Sequence, residues 1–390
     1  MNHELLSLLT DARLNRKSQP RPLNYEELYQ LSDQHQISAL IYNQIYHFPD
    51  FPLNLKNKWK METLKINAFQ TMRTQKLLDI YKKFNDQNIP VILVKGIICR
   101  SLYPQPDYRQ SNDEDLYIQK EHLETIKEIL FKDHFQISHE SDDVITFIDF
   151  TKGLSLEVHT SLFSEESQAY GQYQNLFNKA FQHTKIHTID NVNILSLDDD
   201  YHFLFLILHF VKHFLHSGVG IRQVIDIIMY AETYGELIHW DKIIEILKYY
   251  HIYDLIMNVF SLAYHCLEFD YKKTKLSLHD IENRDYQDLL NDIMNAGIFG
   301  QSTEERLHSS TMTLNALENG KVNVFKSIFP TLKEMQGKYE YLHKYPFLLP
   351  ISYISRIYHY FLNNESKNSK QTIEIGQQRV ELLKKYKVIK

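Results

Sequence analysis

The spacing of apolar residues changes twice along this 390-residue chain, and each change predicts a change of secondary structure. Up to residue 87, apolar residues recur at helical spacing, as in the stripe Leu5, Leu6, Leu8 and Leu9, which is typical of helices that bury one face. Between residues 88 and 196, short apolar runs and alternating patterns replace that spacing and predict strands. From residue 197 onward the helical spacing returns.

The middle region predicts a small mixed sheet. Val91–Val94 is wholly apolar, which suits a strand buried on both faces. Asp113–Ile118 and Leu154–His159 each place polar residues on one face and apolar residues on the other, because side chains alternate along a strand. Further strands are predicted at 135–139, 144–150, 185–189 and 192–194, and a helix at 121–132.

These patterns together predict an α+β fold. A small mixed β-sheet domain at 88–196 is flanked by an N-terminal helical region at 1–87 and a C-terminal helical domain at 197–390. The low numbers of glycine and proline, 11 and 10, agree with a helix-rich chain. Helices in the last region are predicted at 197–215, 221–234, 240–250, 255–267, 303–318 and 372–386.

Charge and cysteine content narrow the class of protein. A formal net charge of -6 argues against a protein that coats nucleic acid or an anionic membrane. Cys99 and Cys266 form no zinc-ligand or disulfide pattern, which favours a reducing compartment. The first residues lack the features of a signal peptide, and the most apolar segment, 201–215, is too short and too polar to span a bilayer. We therefore expect a cytoplasmic protein with no membrane partner.

Asp113 and Asp115 are the first candidates for chemistry. They share one face of the predicted strand, so their carboxylates repel each other unless cations neutralise them. Hard oxygen ligands at this spacing suit magnesium or manganese. Two such ions, about 3.5–4 Å apart, would clamp an in-line phosphoryl or nucleotidyl transfer. The alternative is a solvated acidic edge strand that discourages aggregation.

Three further features support the metal interpretation. Glu157 projects from the polar face of another predicted strand and is a candidate third ligand and general base. Lys95 and Gly96 form a turn after the buried strand, where glycine lets a phosphate approach the backbone and the following helix N-terminus favours an anion. Lys95 or Arg109 can then offset charge on a triphosphate.

The chain resembles the uncharacterised nucleotidyltransferase family of the polymerase-β-like superfamily. The resemblance rests on Val94-Lys-Gly-Ile, on Tyr103-Pro followed by Arg109, on Asp113-Glu-Asp-Leu and on Leu156-Glu-Val-His, and it extends over roughly residues 93–360. It implies a nucleotidyltransferase fold for the sheet domain. It also implies Asp113, Asp115 and Glu157 as metal ligands and catalytic residues, with Lys95, Gly96 and Arg109 contacting the nucleotide.

Two departures from the superfamily pattern stand out. Lys95-Gly96 replaces the usual Gly-Ser turn, so the serine contact to phosphate is absent. Glu114 replaces the usual apolar residue between the aspartates and predicts a less buried back face at that point. In the C-terminal region, an ion pair between Arg222 and Asp226, one helical turn apart, is expected, with a substrate-facing role as the alternative.

Three histidines of the first C-terminal helix also fall on one helical face. His209, His213 and His216 allow a zinc interpretation, but the segment lacks the glutamate of a His-Glu-x-x-His site and is rich in phenylalanine and leucine. Partly buried histidines at a domain interface are therefore the preferred interpretation.

The function expected from these features is transfer of a nucleoside monophosphate from an NTP to an acceptor hydroxyl, with release of pyrophosphate. The metal would be Mg²⁺ (or Mn²⁺), and the acceptor a small molecule, peptide, protein or tRNA. Alternatives are an inactive nucleotide-binding or regulatory protein that retains the fold, or a component of a toxin–antitoxin or tailoring cluster. The hypothesis requires that the three carboxylates converge, and that Lys95 and Arg109 border the same cleft.

Overall fold

The computed structural model describes residues 1–297 except 166, 168 and 217, and after them residues 332, 335, 339, 341–353, 355 and 369–389. The helix predicted at 303–318 lies outside the described residues, as does part of the C-terminal segment that contributed to the family resemblance.

A mixed sheet occupies the middle of the chain, as predicted. Within the described residues its strands follow the order β3-β4-β5-β2-β1-β7-β6. The pairs β2–β5 and β1–β7 are parallel, and the other neighbouring pairs are antiparallel. The strand bounds are β1 Val91–Val94, β2 Asp113–Ile118, β3 Gln136–Glu140, β4 Val144–Asp149, β5 Leu154–His159, β6 Thr184–Ile189 and β7 Val192–Leu197.

Helices precede, decorate and follow this sheet. The N-terminal helices are α1 Asn2–Arg13, α2 Tyr25–Gln34, α3 Ser38–Ile45 and α4 Leu53–Asp86. Three belong to the sheet region: α5 Gly96–Arg100, α6 Leu123–Lys132 and α7 Gln174–Phe177. The described C-terminal helices are α8 Asp199–Leu215, α9 Ile221–Tyr234, α10 Trp240–Tyr249, α11 Tyr253–Leu267, α12 Leu278–Ile281, α13 Gln287–Ala296, α14 Tyr341–Lys344 and α15 Ser369–Lys385.

The position of β2 decides between the two interpretations of the aspartate pair. Strand β2 lies inside the sheet, with β5 on one side and β1 on the other, so the edge-strand interpretation is wrong. Leu116 and Ile118 are fully buried on its back face. All four residues of β1 are also buried, as expected of a strand covered on both faces. The aspartates therefore stand on a rigid central strand.

The helical regions pack against the sheet instead of standing apart from it. A single cluster of buried apolar side chains includes residues from the N-terminal helices, the sheet and the C-terminal helices. Helix α4 contacts β5 and β7, helix α8 contacts β7, and helix α9 contacts α5. Helices α8 and α9 can thus contribute side chains to a site at the sheet. Among the described residues, no helix combines the length and the apolarity that crossing a membrane requires.

Candidate active site

Three carboxylates gather where β2 and β5 run side by side. The parallel register places Asp115 directly opposite Glu157, and Asp113 opposite Ser155. The side chain of Asp115 is only 4% exposed, whereas those of Asp113 and Glu157 are 35% and 33% exposed. Asp115 thus forms the floor of the site, and the other two carboxylates reach its open side.

The ammonium group of Lys95 lies among these acids. Lys95 Nζ is 2.8 Å from Asp115 Oδ2 and 3.7 Å from Asp113 Oδ2. It also lies 3.3 Å from Nε2 of His209, on helix α8. The lysine that the sequence analysis assigned to the nucleotide is therefore engaged with the acids themselves.

His159 completes the cluster. The sequence placed it in the Glu-x-His motif, either as a structural hydrogen-bonding residue or as a substrate contact. Its Nε2 lies 3.0 Å from Asp115 Oδ1 and 3.5 Å from Glu157 Oε2. Asp115, Glu157 and His159 each offer one ligand atom, and these atoms all lie within 4.8 Å of one another. Asp113 is not part of this group. The alternation of β5, which puts Glu157 and His159 on one face, was the available signal.

The charges in the cluster shift one another's pKa values. Burial raises the pKa of Asp115, but Lys95 and His159 lower it by a larger amount, so the pKa of this carboxyl lies well below its usual range. Lys95 lowers the pKa of Asp113, but burial and the neighbouring carboxylates of Asp115 and Glu157 outweigh it, so the net shift is upward. Burial alone would lower the pKa of Lys95, yet the surrounding carboxylates raise it. Burial would likewise lower the pKa of His159, but the carboxylates of Asp115 and Glu157 raise it, and the net shift is upward.

The Lys95-Gly96 turn has an unusual backbone conformation. Lys95 has φ +44° and Gly96 has φ +27°, and the Lys95 amide donates a 3.0 Å hydrogen bond to Nε2 of His202. A Cβ atom on Gly96 would lie 1.9 Å from Oε2 of Glu114. Glycine is needed here because the buried carboxylate of Glu114 occupies the space.

Glu114 contradicts the expectation of a less buried back face. The residue is 3% exposed. Its Oε2 accepts from the Ile97 amide at 2.8 Å, and its Oε1 accepts from Arg100 Nη2 at 2.6 Å. Arg100 in turn donates to Gln70 of helix α4. The carboxylate of Glu114 therefore occupies the start of α5, where the sequence analysis expected a phosphate. Its buried negative charge is compensated by Arg100.

Arg109 is also paired internally. It is 3% exposed, and it donates from Nε and Nη2 to the two carboxylate oxygens of Asp226 at 2.8 and 2.7 Å. Tyr103 donates to the same carboxylate at 2.8 Å. The predicted ion pair between Arg222 and Asp226 is therefore wrong. Asp226 pairs with Arg109, and Arg222 instead donates to Gln36 and to the Gln110 carbonyl. Asp226 instead ties helix α9 to the sheet region.

The cleft next to the acids is lined by residues of the sheet region and of helices α8 and α9. Lys95 and Arg109 border it together, as the sequence hypothesis required. The small pocket there is lined, among others, by Lys95, Gly96, Arg109, Asp113, His209 and Arg222. Its charged lining residues are three cations, Lys95, Arg109 and Arg222, and two carboxylates, Asp113 and Asp226.

Two histidines of α8 and the residue that follows the helix form a partly buried row that begins at the Lys95 ammonium group. Nε2 of His209 and Nε2 of His213 lie 3.1 Å apart, and His216 Nε2 lies 3.3 Å from the Tyr170 hydroxyl. Burial, with Lys95 and other cations adding to it, lowers the pKa of His209 well below its usual value, and burial also lowers that of His216, to about 4. Burial thus disfavours the protonated form of these partly buried histidines.

The fold is an α+β fold with a mixed sheet, in which Asp115, Glu157 and His159 form a group that could hold a metal ion. The model of the uncharacterised nucleotidyltransferase family matches residues 21–268, and the chain belongs to that family. The family assignment supports a general nucleotidyl transfer activity. No curated protein and no solved structure matches the chain. The resemblance beyond residue 268 stays a prediction.

Proposed function

We propose that the protein transfers a nucleoside monophosphate from an NTP to an acceptor hydroxyl in a reaction that depends on Mg²⁺ or Mn²⁺. The observation that carries the proposal is the register of β2 and β5, which brings Asp115 and Glu157 side by side with Asp113 on the same face. Family membership supports the reaction class. The acceptor remains open among a small molecule, a peptide, a protein and tRNA.

The donor set fits a divalent cation. Asp115 and Glu157 offer oxygen ligands within 4.8 Å of each other, and Asp113 stands at the open side. His159 fits better as a support than as a ligand. Its Nδ1 is buried without a hydrogen-bond partner among the described residues, whereas metal-bound histidines almost always donate their second nitrogen. A bound cation would supply charge neutralisation at the transferred phosphoryl group.

The remaining residues have roles that their positions suggest. Glu157 is one-third exposed and can accept the proton of the acceptor hydroxyl as its oxygen attacks the α-phosphorus. The bond from that phosphorus to the β-phosphate oxygen breaks, and pyrophosphate leaves. Lys95 and Arg222 line the cleft and would contact the phosphates, while Arg109, held by Asp226, shapes its wall.

Transfer of label tests the proposal. Purified protein is incubated with each α-labelled NTP, Mg²⁺ and a lysate as the source of acceptor, and labelled product and pyrophosphate are measured. We expect Asp115→Asn and Glu157→Gln to lose at least about 100-fold in rate, because each removes a charge on which the reaction depends. Glu140→Gln is the matched control, since Glu140 lies on β3 of the same sheet, is 51% exposed and, among the described residues, forms an ion pair with Lys127.

The outcomes separate the alternatives. Undiminished labelling by Asp115→Asn would remove the acidic cluster from the mechanism. Binding of an NTP by calorimetry, without pyrophosphate release in any acceptor fraction, would instead favour a nucleotide-binding protein that has no turnover.

A further inference from the structure

Lys95 occupies the position where a second cation would sit between the two aspartates. Its Nζ is 2.8 Å from Asp115 Oδ2 and 3.7 Å from Asp113 Oδ2, so it bridges the pair that the two-ion hypothesis assigned to metals. Asp115 and Glu157 belong to a second group, with His159, whose ligand atoms lie within 4.8 Å of one another and which does not include Asp113. Lys95 thus contacts the two aspartates, whereas Asp115 and Glu157 offer the oxygen atoms that could hold an ion beside His159.

The structure holds this lysine in place at both ends. Its amide donates to Nε2 of His202, whose Nδ1 lies 3.3 Å from Ser196 Oγ. Its backbone has φ +44°, a conformation that residues other than glycine rarely adopt and that persists only where the surroundings impose it. Its ammonium group also contacts His209 Nε2, and the side chain is only 16% exposed.

The charge balance agrees with a permanent cation at this point. Asp113, Asp115 and Glu157 carry three negative charges when ionised. Before a nucleotide binds, Lys95 together with one divalent ion neutralises all three, whereas Lys95 with two divalent ions would leave an excess of two positive charges around the buried Asp115. The sequence feature that departs from the superfamily, a lysine before the glycine of the turn, is the residue that supplies this charge.

We propose that Lys95 is a built-in replacement for one of the two metal ions, so that the site takes a single divalent cation, held by Asp115 and Glu157. The proposal rests on the metal-dependent function proposed above and gives Lys95 a new role. The lysine neutralises Asp113 and Asp115 whether or not substrate is present. A lysine that only contacted the nucleotide would have no need of a position between the acids.

Counting bound Mn²⁺ tests the proposal without any assay of activity. Electron paramagnetic resonance of the intact protein titrated with Mn²⁺ measures the number of ions and shows spin coupling when two ions lie about 4 Å apart. We expect the wild type to bind one uncoupled ion and Lys95→Met to bind two coupled ions. Lys95→Arg, which keeps the charge, should again bind one ion.

Three further variants complete the design. Lys76→Met is the matched control: Lys76 is 19% exposed and paired with Asp133 and Asp149 away from the cluster, so its loss should leave the ion count at one. Asp113→Asn should also keep one ion, because Asp113 is paired with the lysine in the proposed arrangement. This measurement keeps the proposal testable if Lys95→Met does not fold. Asp115→Asn should bind none.

The possible results are distinguishable. Two coupled ions in the wild type, or a single ion in folded Lys95→Met, would overturn the role of Lys95 and leave the metal-dependent function standing. An ion count that Asp115→Asn does not change would overturn both, because the metal would then lie elsewhere.

Discussion

The buried pair of Glu114 and Arg100 allows a quantitative test of how strand β2 is held in place. Glu114 lies between the two aspartates on β2 but faces the other way, and its carboxylate accepts from Arg100 Nη2 and from the Ile97 amide. The side chains of both members of the pair are 4% exposed or less. The perturbation is Glu114→Gln, which keeps the shape of the side chain and removes its charge.

The expected loss follows from what remains behind. The amide oxygen of glutamine can still accept from Ile97, but Arg100 keeps a buried positive charge without a carboxylate. Removing one partner of a buried ion pair costs about 3–5 kcal/mol. Removing both charges leaves no uncompensated buried ion, so Glu114→Gln with Arg100→Met should recover most of that loss, to within about 1–2 kcal/mol of the wild type.

The free energy of unfolding is measured by urea titration, with the fluorescence of Trp59 and Trp240 as the signal, for the wild type, both single variants and the double variant. A loss below about 1 kcal/mol in Glu114→Gln would refute the reasoning. So would a double variant that is as unstable as the sum of the two single variants. Either result would mean that Glu114 is hydrated and that the back face of β2 is open, as its sequence context suggested.

Three other predictions concern stability. Gly96→Ala should cost about 3 kcal/mol or more in urea unfolding, since a Cβ atom would lie 1.9 Å from Glu114 Oε2 at a positive φ; an unchanged midpoint would contradict this close contact. Asp226→Asn should cost about 3 kcal/mol, because Arg109 loses its buried partner, and hydrogen exchange should rise first at helix α9. Burial lowers the pKa of His202 to about 3, so below about pH 6.5 the unfolded chain binds a proton that the folded protein does not bind. The contribution of His202 to the free energy of unfolding should be fully present above that pH and fall by up to about 1.4 kcal/mol per pH unit toward pH 3. His202→Gln should flatten this part of the stability profile.

Local pattern was sufficient for the elements of the sheet. The bounds of β1, β2 and β5 were predicted to the residue, and the other strands differ only at their ends. The reason is that strand alternation and apolar runs are properties of neighbouring residues. The same alternation put Asp113 and Asp115 on one face and Glu157 on the polar face of another strand.

The partners of the buried charges could not be read from the sequence, because each pair joins distant segments of the chain. Arg109 and Asp226 are separated by 117 positions, and Lys95 and His209 by 114. An ion pair one helical turn apart was the natural local expectation for Asp226, and it was wrong because tertiary packing brought a better-placed arginine to the same carboxylate.

The sequence by itself thus determined the α+β class and the family, and it predicted the three acids as site residues, since these depend on periodicity and on short motifs. Only the tertiary structure decided what neutralises the acids. It placed the ammonium of Lys95 between Asp113 and Asp115, and it buried Glu114 against Arg100. A buried charge needs a compensating partner close by, and only the packing of strands and helices determines which residue that is.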